Sequence, residues 1–170
     1  PLVEKIHAAY IKAGAEILET NTFGANRIKL AGYGLEGKTR DINIAGVQIA
    51  RKVAGDKAYV AGSVGPIGKP LHAEGITPQV AKAAFKEQIQ ALMEGGVDFL
   101  VFETFSDLNE LKLAIETAKE STQLPIIAQM SFNEDLKTAN GHTPEEFATT
   151  IGSMNLTCIG VNCSVGPQIV

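Results

Sequence analysis

Short apolar runs alternate strictly with longer amphipathic segments along this chain, and no other feature constrains its fold as much. The runs lie at 16–20, 58–64, 99–103, 125–132 and 157–163. They are nearly continuous in apolar residues, as strands are when both faces are covered. Between them the spacing turns helical. Residues 3–13 place Val3, Ile6, Ala9, Tyr10 and Ala13 on one stripe, and Gly14 ends the pattern. The stretch 25–52 reads as two helical pieces, 25–31 and 40–53, broken around Gly32, Gly34 and Gly37. Thr77-Pro78 opens a helix that runs to Glu94, and Thr143-Pro144 opens another with the same N-cap-then-proline signal. Ser106 or Asp107 caps the helix that ends at Ser121.

Five strands and five helical segments in alternation mean a parallel sheet. Two architectures fit. One is a doubly wound sheet complete in itself, acting as a self-contained small-molecule-binding module. The other is an α/β TIM barrel, (βα)8, of which these 170 residues are an incomplete piece with about five βα units. The strand ends favour the barrel. Each finishes in polar or small residues: Asn21-Thr22, Ser63 to Gly65, Glu103-Thr104, Gln129 to Ser131, Asn162-Cys163. A barrel assembles its site from all such ends around one mouth, whereas a doubly wound sheet needs them only at its switch point. The chain opens on a helix. The expectation is therefore one domain over 1–170 that lacks a barrel's first strand and its last two βα units. The open edges of such a piece invite pairing between copies.

Composition removes several function classes. Net charge is −4 with acids and bases interspersed, so no basic stripe points to nucleic acid. No apolar stretch approaches the roughly 20 residues that span a bilayer, and the first residues are not a signal peptide. Cys158 and Cys163 fall in one expected strand at odd spacing, on opposite faces, which makes a bridge between them improbable. A reducing, cytoplasmic setting is the expectation.

Cys163 carries the strongest chemical signal. A thiolate at a strand's C-terminal end is placed to bind zinc or attack a substrate, although a buried, inert cysteine is the competing reading. Cys158 reads as that buried cysteine. A catalytic zinc takes three protein ligands. His72 and His142 lie in loops after strands, His7 reads as a surface residue of the first helix, and no pair has ligand spacing. Glu103 ends an apolar strand, where a carboxylate needs a cation or a donor. A substrate ammonium and a neighbouring Lys or Arg are both open as its partner. Glu19 resembles it and reads as structural. Gly65-Pro66-Ile67-Gly68 lacks the Lys-Ser/Thr of a phosphate loop and reads as a turn. No strand ends in the Lys that a Schiff-base aldolase would want.

Four stretches carry a resemblance. Glu19-Thr20-Asn21-Thr22-Phe23-Gly24-Ala25-Asn26, Gly62-Ser63-Val64-Gly65-Pro66, Phe102-Glu103-Thr104-Phe105 and Gly160-Val161-Asn162-Cys163-Ser164-Val165-Gly166-Pro167 resemble the homocysteine S-methyltransferase family, in the family's order and over essentially the whole chain. The resemblance implies a (βα)8 barrel that transfers a methyl group to the thiol of homocysteine, giving methionine. It implies a zinc ion at the mouth bound by three cysteines. Cys163 matches the first, and the other two form an adjacent pair that this chain does not contain. Glu103 matches the glutamate that holds the amino-acid part of homocysteine, and Asn162 the asparagine beside the first ligand. Asn21 and Ser63 fall on motifs at the rim. The methyl donor, such as a cobalamin or folate compound, would be carried by another domain or molecule, and the piece alone would be inactive.

Overall fold

The computed structural model describes residues 1–166 and Gln168; Pro167, the last residue of the fourth motif, lies outside the described residues. The elements are α1 (Leu2–Lys12), β1 (Ile17–Glu19), α2 (Arg27–Ala31), α3 (Thr39–Ala54), β2 (Tyr59–Val64), α4 (Pro78–Gly95), β3 (Phe99–Phe105), α5 (Leu108–Ser121), β4 (Ile126–Met130), α6 (Pro144–Gly152) and β5 (Cys158–Val161). A 3-10 turn, Glu36–Lys38, joins α2 to α3. The expected break between the two helical pieces that join β1 to β2 is thus present.

Local chemistry places the helix starts. Thr77 accepts from the Val80 N–H, and Thr143 and Glu146 form a reciprocal capping box, both ahead of a proline. Of the two residues expected to cap α5, Asp107 does so, accepting from the Asn109 and Glu110 N–H groups. α4 stops where Gly96 turns left-handed, at φ 91°.

All strands pair in parallel, in the order β1-β2-β3-β4-β5. The order never reverses. Right-handed crossovers between successive neighbours then put every helix on the same face of the sheet. A doubly wound sheet needs a reversal, so that alternative is out. The chain is a singly wound arc, the geometry of a barrel wall.

Alternation along each strand divides the two faces. Leu18, Val60, Val64, Leu100, Phe102, Ala128 and Met130 point into the helical layer and meet Val47, Phe85, Ile89, Leu92, Leu111 and Ile115. Phe105 joins this core, its ring centroid 6.3 Å from that of Phe85. The opposite face carries Ile17, Glu19, Tyr59, Ser63, Val101, Glu103, Ile127, Gln129 and Cys158, and among the described residues no helix covers it. Ile17 and Tyr59 are accordingly exposed.

Two expectations fail on this point. Cys158 is exposed rather than buried, because its strand lies at the sheet edge and its side chain is on the uncovered face. His7 is buried rather than on the surface, 6% exposed, and its Nε2 has no partner among the described residues. Nor do the cysteines share a strand: β5 ends at Val161, and Cys163 lies beyond it at φ 56°. Both are free thiols. No helix among the described residues is long and apolar enough to cross a membrane.

Candidate functional site

The C-terminal strand ends converge as the register dictates. Val64 pairs with Phe102, Phe102 with Ala128, and Met130 with Val161. Ser63, Glu103, Asn162 and Cys163 are therefore brought to one rim. A register shift between Phe102 and Phe105 interrupts the β3–β4 ladder. Within it Thr104 sits at φ 60°, and across the rim Cys163 and Ser164 sit at 56° and 60°. Left-handed backbone costs a residue with a Cβ roughly 1–2 kcal/mol, and most for a β-branched one. Strain of this kind collects where side chains must be aimed.

The half-buried Glu103 carboxylate is aimed by two neutral donors. Ser63 Oγ donates to its Oε1 at 2.5 Å, and Asn162 Nδ2 lies 3.4 Å from its Oε2. Among the described residues no Lys or Arg pairs with it. Of its two open partners, the neighbouring cation is not found among the described residues.

Asn162 is held on every side. Its N–H donates to the Met130 carbonyl at 3.2 Å, and Ser131 Oγ donates to its carbonyl at 2.8 Å. Its side chain bonds Thr104 twice: Nδ2 donates to Oγ1 at 2.8 Å, and Oδ1 accepts from the Thr104 N–H at 3.0 Å. The exposed Cys163 Sγ lies 3.5 Å from Thr104 Oγ1 and 3.6 Å from Asn162 Nδ2. Thr104 was legible only as a letter of its motif; nothing in its spacing announces this role.

Asn21 is not brought into this network. It is exposed and lines the groove between α1 and β1. Its flanking threonines do the local work. Thr22 Oγ1 donates to the Ser63 carbonyl at 2.8 Å, and the Ser63 N–H donates to Thr20 Oγ1 at 3.0 Å, which locks the end of β1 onto β2. Glu19, one step earlier on the uncovered face, titrates above the ordinary carboxylate range. Burial is the main cause, and repulsion by Glu103 adds to it.

The Gly65-Pro66-Ile67-Gly68 turn is braced from behind. Glu110 sits in a capping-box position relative to Asp107, yet its buried Oε1 accepts from the Ile67 N–H at 2.7 Å. Burial pushes its carboxyl up to about 7. The Gly65 N–H donates to the Phe23 carbonyl at 3.1 Å, and a Cβ on Gly65 would press into the Phe23 ring. Lys29 Nζ covers that ring at 4.6 Å.

Among the described residues no three His, Cys, Asp or Glu come together as a ligand set. His142 lies beside Glu146, its Nδ1 3.9 Å from Oε2, and takes no part in the rim.

Comparison with known proteins agrees with this architecture. The family model described as homocysteine S-methyltransferase matches residues 1–170. Methionine synthase of Mycobacterium tuberculosis is 33% identical over 178 residues, an alignment that covers 98% of this chain and 15% of that protein. The chain thus spans about a seventh of the length of that relative. The metallated form of the homocysteine methyltransferase MmuM from Escherichia coli superposes with a TM-score of 0.84 at 22% identity, covering 99% of this chain and 65% of that one. A structure described as a putative phosphonomutase from Burkholderia cenocepacia follows at a TM-score of 0.55 and 16% identity, covering 94% and 56% of the two chains. These two likenesses concern the fold.

Proposed function

Because this chain belongs to the homocysteine S-methyltransferase family, we propose that it forms the homocysteine-binding wall of an enzyme that methylates the homocysteine thiol to give methionine. One observation carries this reading: a carboxylate with no Lys or Arg partner among the described residues, Glu103, is linked through Asn162 to a solvent-facing thiol, Cys163. Homocysteine has an ammonium and a thiol, and the two ends of the network complement them. Glu103 holds the ammonium. Ser63 and Asn162 fix the carboxylate's direction, so that the substrate is oriented before it reacts. Asn21, exposed at the neighbouring strand end, contributes at the rim.

The rim residues fit one corner of a zinc site. Cys163 presents an exposed sulfur with two polar neighbours, as a metal thiolate needs. The remaining ligands lie outside the described residues. Zinc, when bound, would keep the substrate sulfur deprotonated at neutral pH, where a free thiol of pKa about 8.5 is mostly protonated. Cys163 would be one of its protein ligands. The methyl donor, methylcobalamin or a folate compound, a methylated sulfonium compound or betaine, would be held by another domain or molecule. The same reading makes the isolated stretch inactive. It places the protein in the cytoplasm, with neither nucleic acid nor membrane as partner. The uncovered face, with Ile17 and Tyr59 exposed, supports self-association of isolated copies.

The test is methionine formation by the full-length protein from homocysteine and each of those donors. Methionine with at least one donor, lost in Cys163→Ser, is expected. No methionine with any of them, or undiminished turnover in Cys163→Ser, would refute the proposal.

A further inference from the structure

We infer that Thr104 is a positioning residue that holds Asn162 and the Cys163 sulfur in one fixed arrangement, coupling the substrate-binding carboxylate to the metal-binding thiol. The inference rests on the zinc reading above and adds a residue to it.

The hydrogen-bond accounting is specific. A threonine hydroxyl has one proton and two acceptor sites. Oγ1 already accepts from Asn162 Nδ2 at 2.8 Å. Its own proton remains to be donated, and Cys163 Sγ lies 3.5 Å away. The Thr104 N–H meanwhile binds Asn162 Oδ1 at 3.0 Å. The two bonds to one amide close a ring, and an inverted amide would set two donors against each other at the backbone. The Asn162 Nδ2 group that this ring fixes lies 3.4 Å from Glu103 Oε2 and 3.6 Å from Cys163 Sγ. One side chain thereby sets the direction of both functional ends.

The backbone supplies an independent observation. Thr104 is a β-branched residue at φ 60°, inside the break in the β3–β4 ladder. Glycine would take this conformation without strain but has no hydroxyl. The strain is tolerated at a position from which a hydroxyl reaches both Asn162 and Cys163.

The experiment uses the full-length protein with Co²⁺ as the probe. Affinity is read by chelator competition, and the metal–thiolate bond by its charge-transfer absorption. Thr104→Val keeps the shape and removes the hydroxyl. Loss of such an outer hydrogen bond is expected to weaken metal binding roughly 10- to 100-fold. Thr104→Ser, which keeps the hydroxyl, is expected to restore affinity and the wild-type band. Thr104→Gly relieves the backbone and so keeps the test open should the Val variant fail to fold, and it is expected to bind metal as weakly as Val. A Val or Gly variant with wild-type affinity and absorption would overturn the proposal, as would a Ser variant as weak as Val. Wild-type protein whose Co²⁺ uptake ignores Cys163→Ser would overturn the zinc reading and this inference together. Uptake that needs Cys163 but not Thr104 would overturn this inference alone.

Discussion

Ser63 Oγ donates to Glu103 Oε1 at 2.5 Å, across the seam between β2 and β3. The bond turns toward the mouth a strand-end carboxylate that has no Lys or Arg partner among the described residues. Glu103→Gln keeps the shape and removes the charge. A hydrogen bond to a charged group is worth about 1.5–3 kcal/mol, so the KM for homocysteine should rise roughly 10- to 100-fold. Ser63→Ala removes only the aiming bond, and its effect should be smaller, about fivefold. Steady-state kinetics of the full-length protein check both. A Ser63→Ala effect as large as that of Glu103→Gln would contradict this division of roles.

Glu110 makes stability depend on pH. Its folded-state value of about 7 lies above the ordinary 4.5. Between those values the folded protein keeps a proton that the unfolded chain has lost. Stability therefore falls as pH rises from 4.5 toward 7, and is flat beyond. The full difference corresponds to about 3 kcal/mol. Glu110→Gln cannot ionise and can still accept from Ile67. Thermal unfolding should find the variant gaining on wild type between pH 5 and pH 8. A gap that does not change with pH would show that Glu110 is ionised throughout.

His7 acts in the opposite direction. Burial lowers its pKa below the ordinary 6.5. Above that value the ring is neutral in both states and adds no pH dependence. As pH falls below it, the unfolded chain takes up a proton that the folded chain resists, and stability is lost. A proton-NMR titration should find His7 turning at a pH below 6.5. A midpoint at or above 6.5 would mean that an acceptor meets its Nε2.

Gly65 is needed for space. Its missing Cβ is the place of the Phe23 ring. Gly65→Ala should destabilise by about 1–3 kcal/mol, the usual cost of overpacking. Adding Phe23→Leu should recover part of it. Equal losses in the single and double variants, by chemical denaturation, would place the strain elsewhere.

The barrel wall was legible because buried parallel strands are continuous apolar runs, and because all five ends are polar. Glu103 and Cys163 stood out as a carboxylate and a thiol at strand ends, each with a structural reading open beside the functional one, and Asn162 entered only through the family resemblance. Cys158 and His7 were misread for one shared reason. Alternation separates two faces of an element but does not say which face is covered. The sheet face bearing Cys158 has no helix over it, and the face of α1 bearing His7 is packed. Thr104 and Glu110 were hidden differently. A threonine in a strand reads as ordinary β-propensity, and a glutamate after Asp107 reads as a helix start. Their roles arise from contacts with Asn162 and Ile67, 58 and 43 residues away.

Membership of Cys163 in a metal-bound thiol site is open to elemental analysis of the full-length protein, wild type beside Cys163→Ser. About one zinc per wild-type chain is expected, as a single catalytic site holds, and little in the variant. Metal-free wild-type protein, or equal zinc in both, would contradict it.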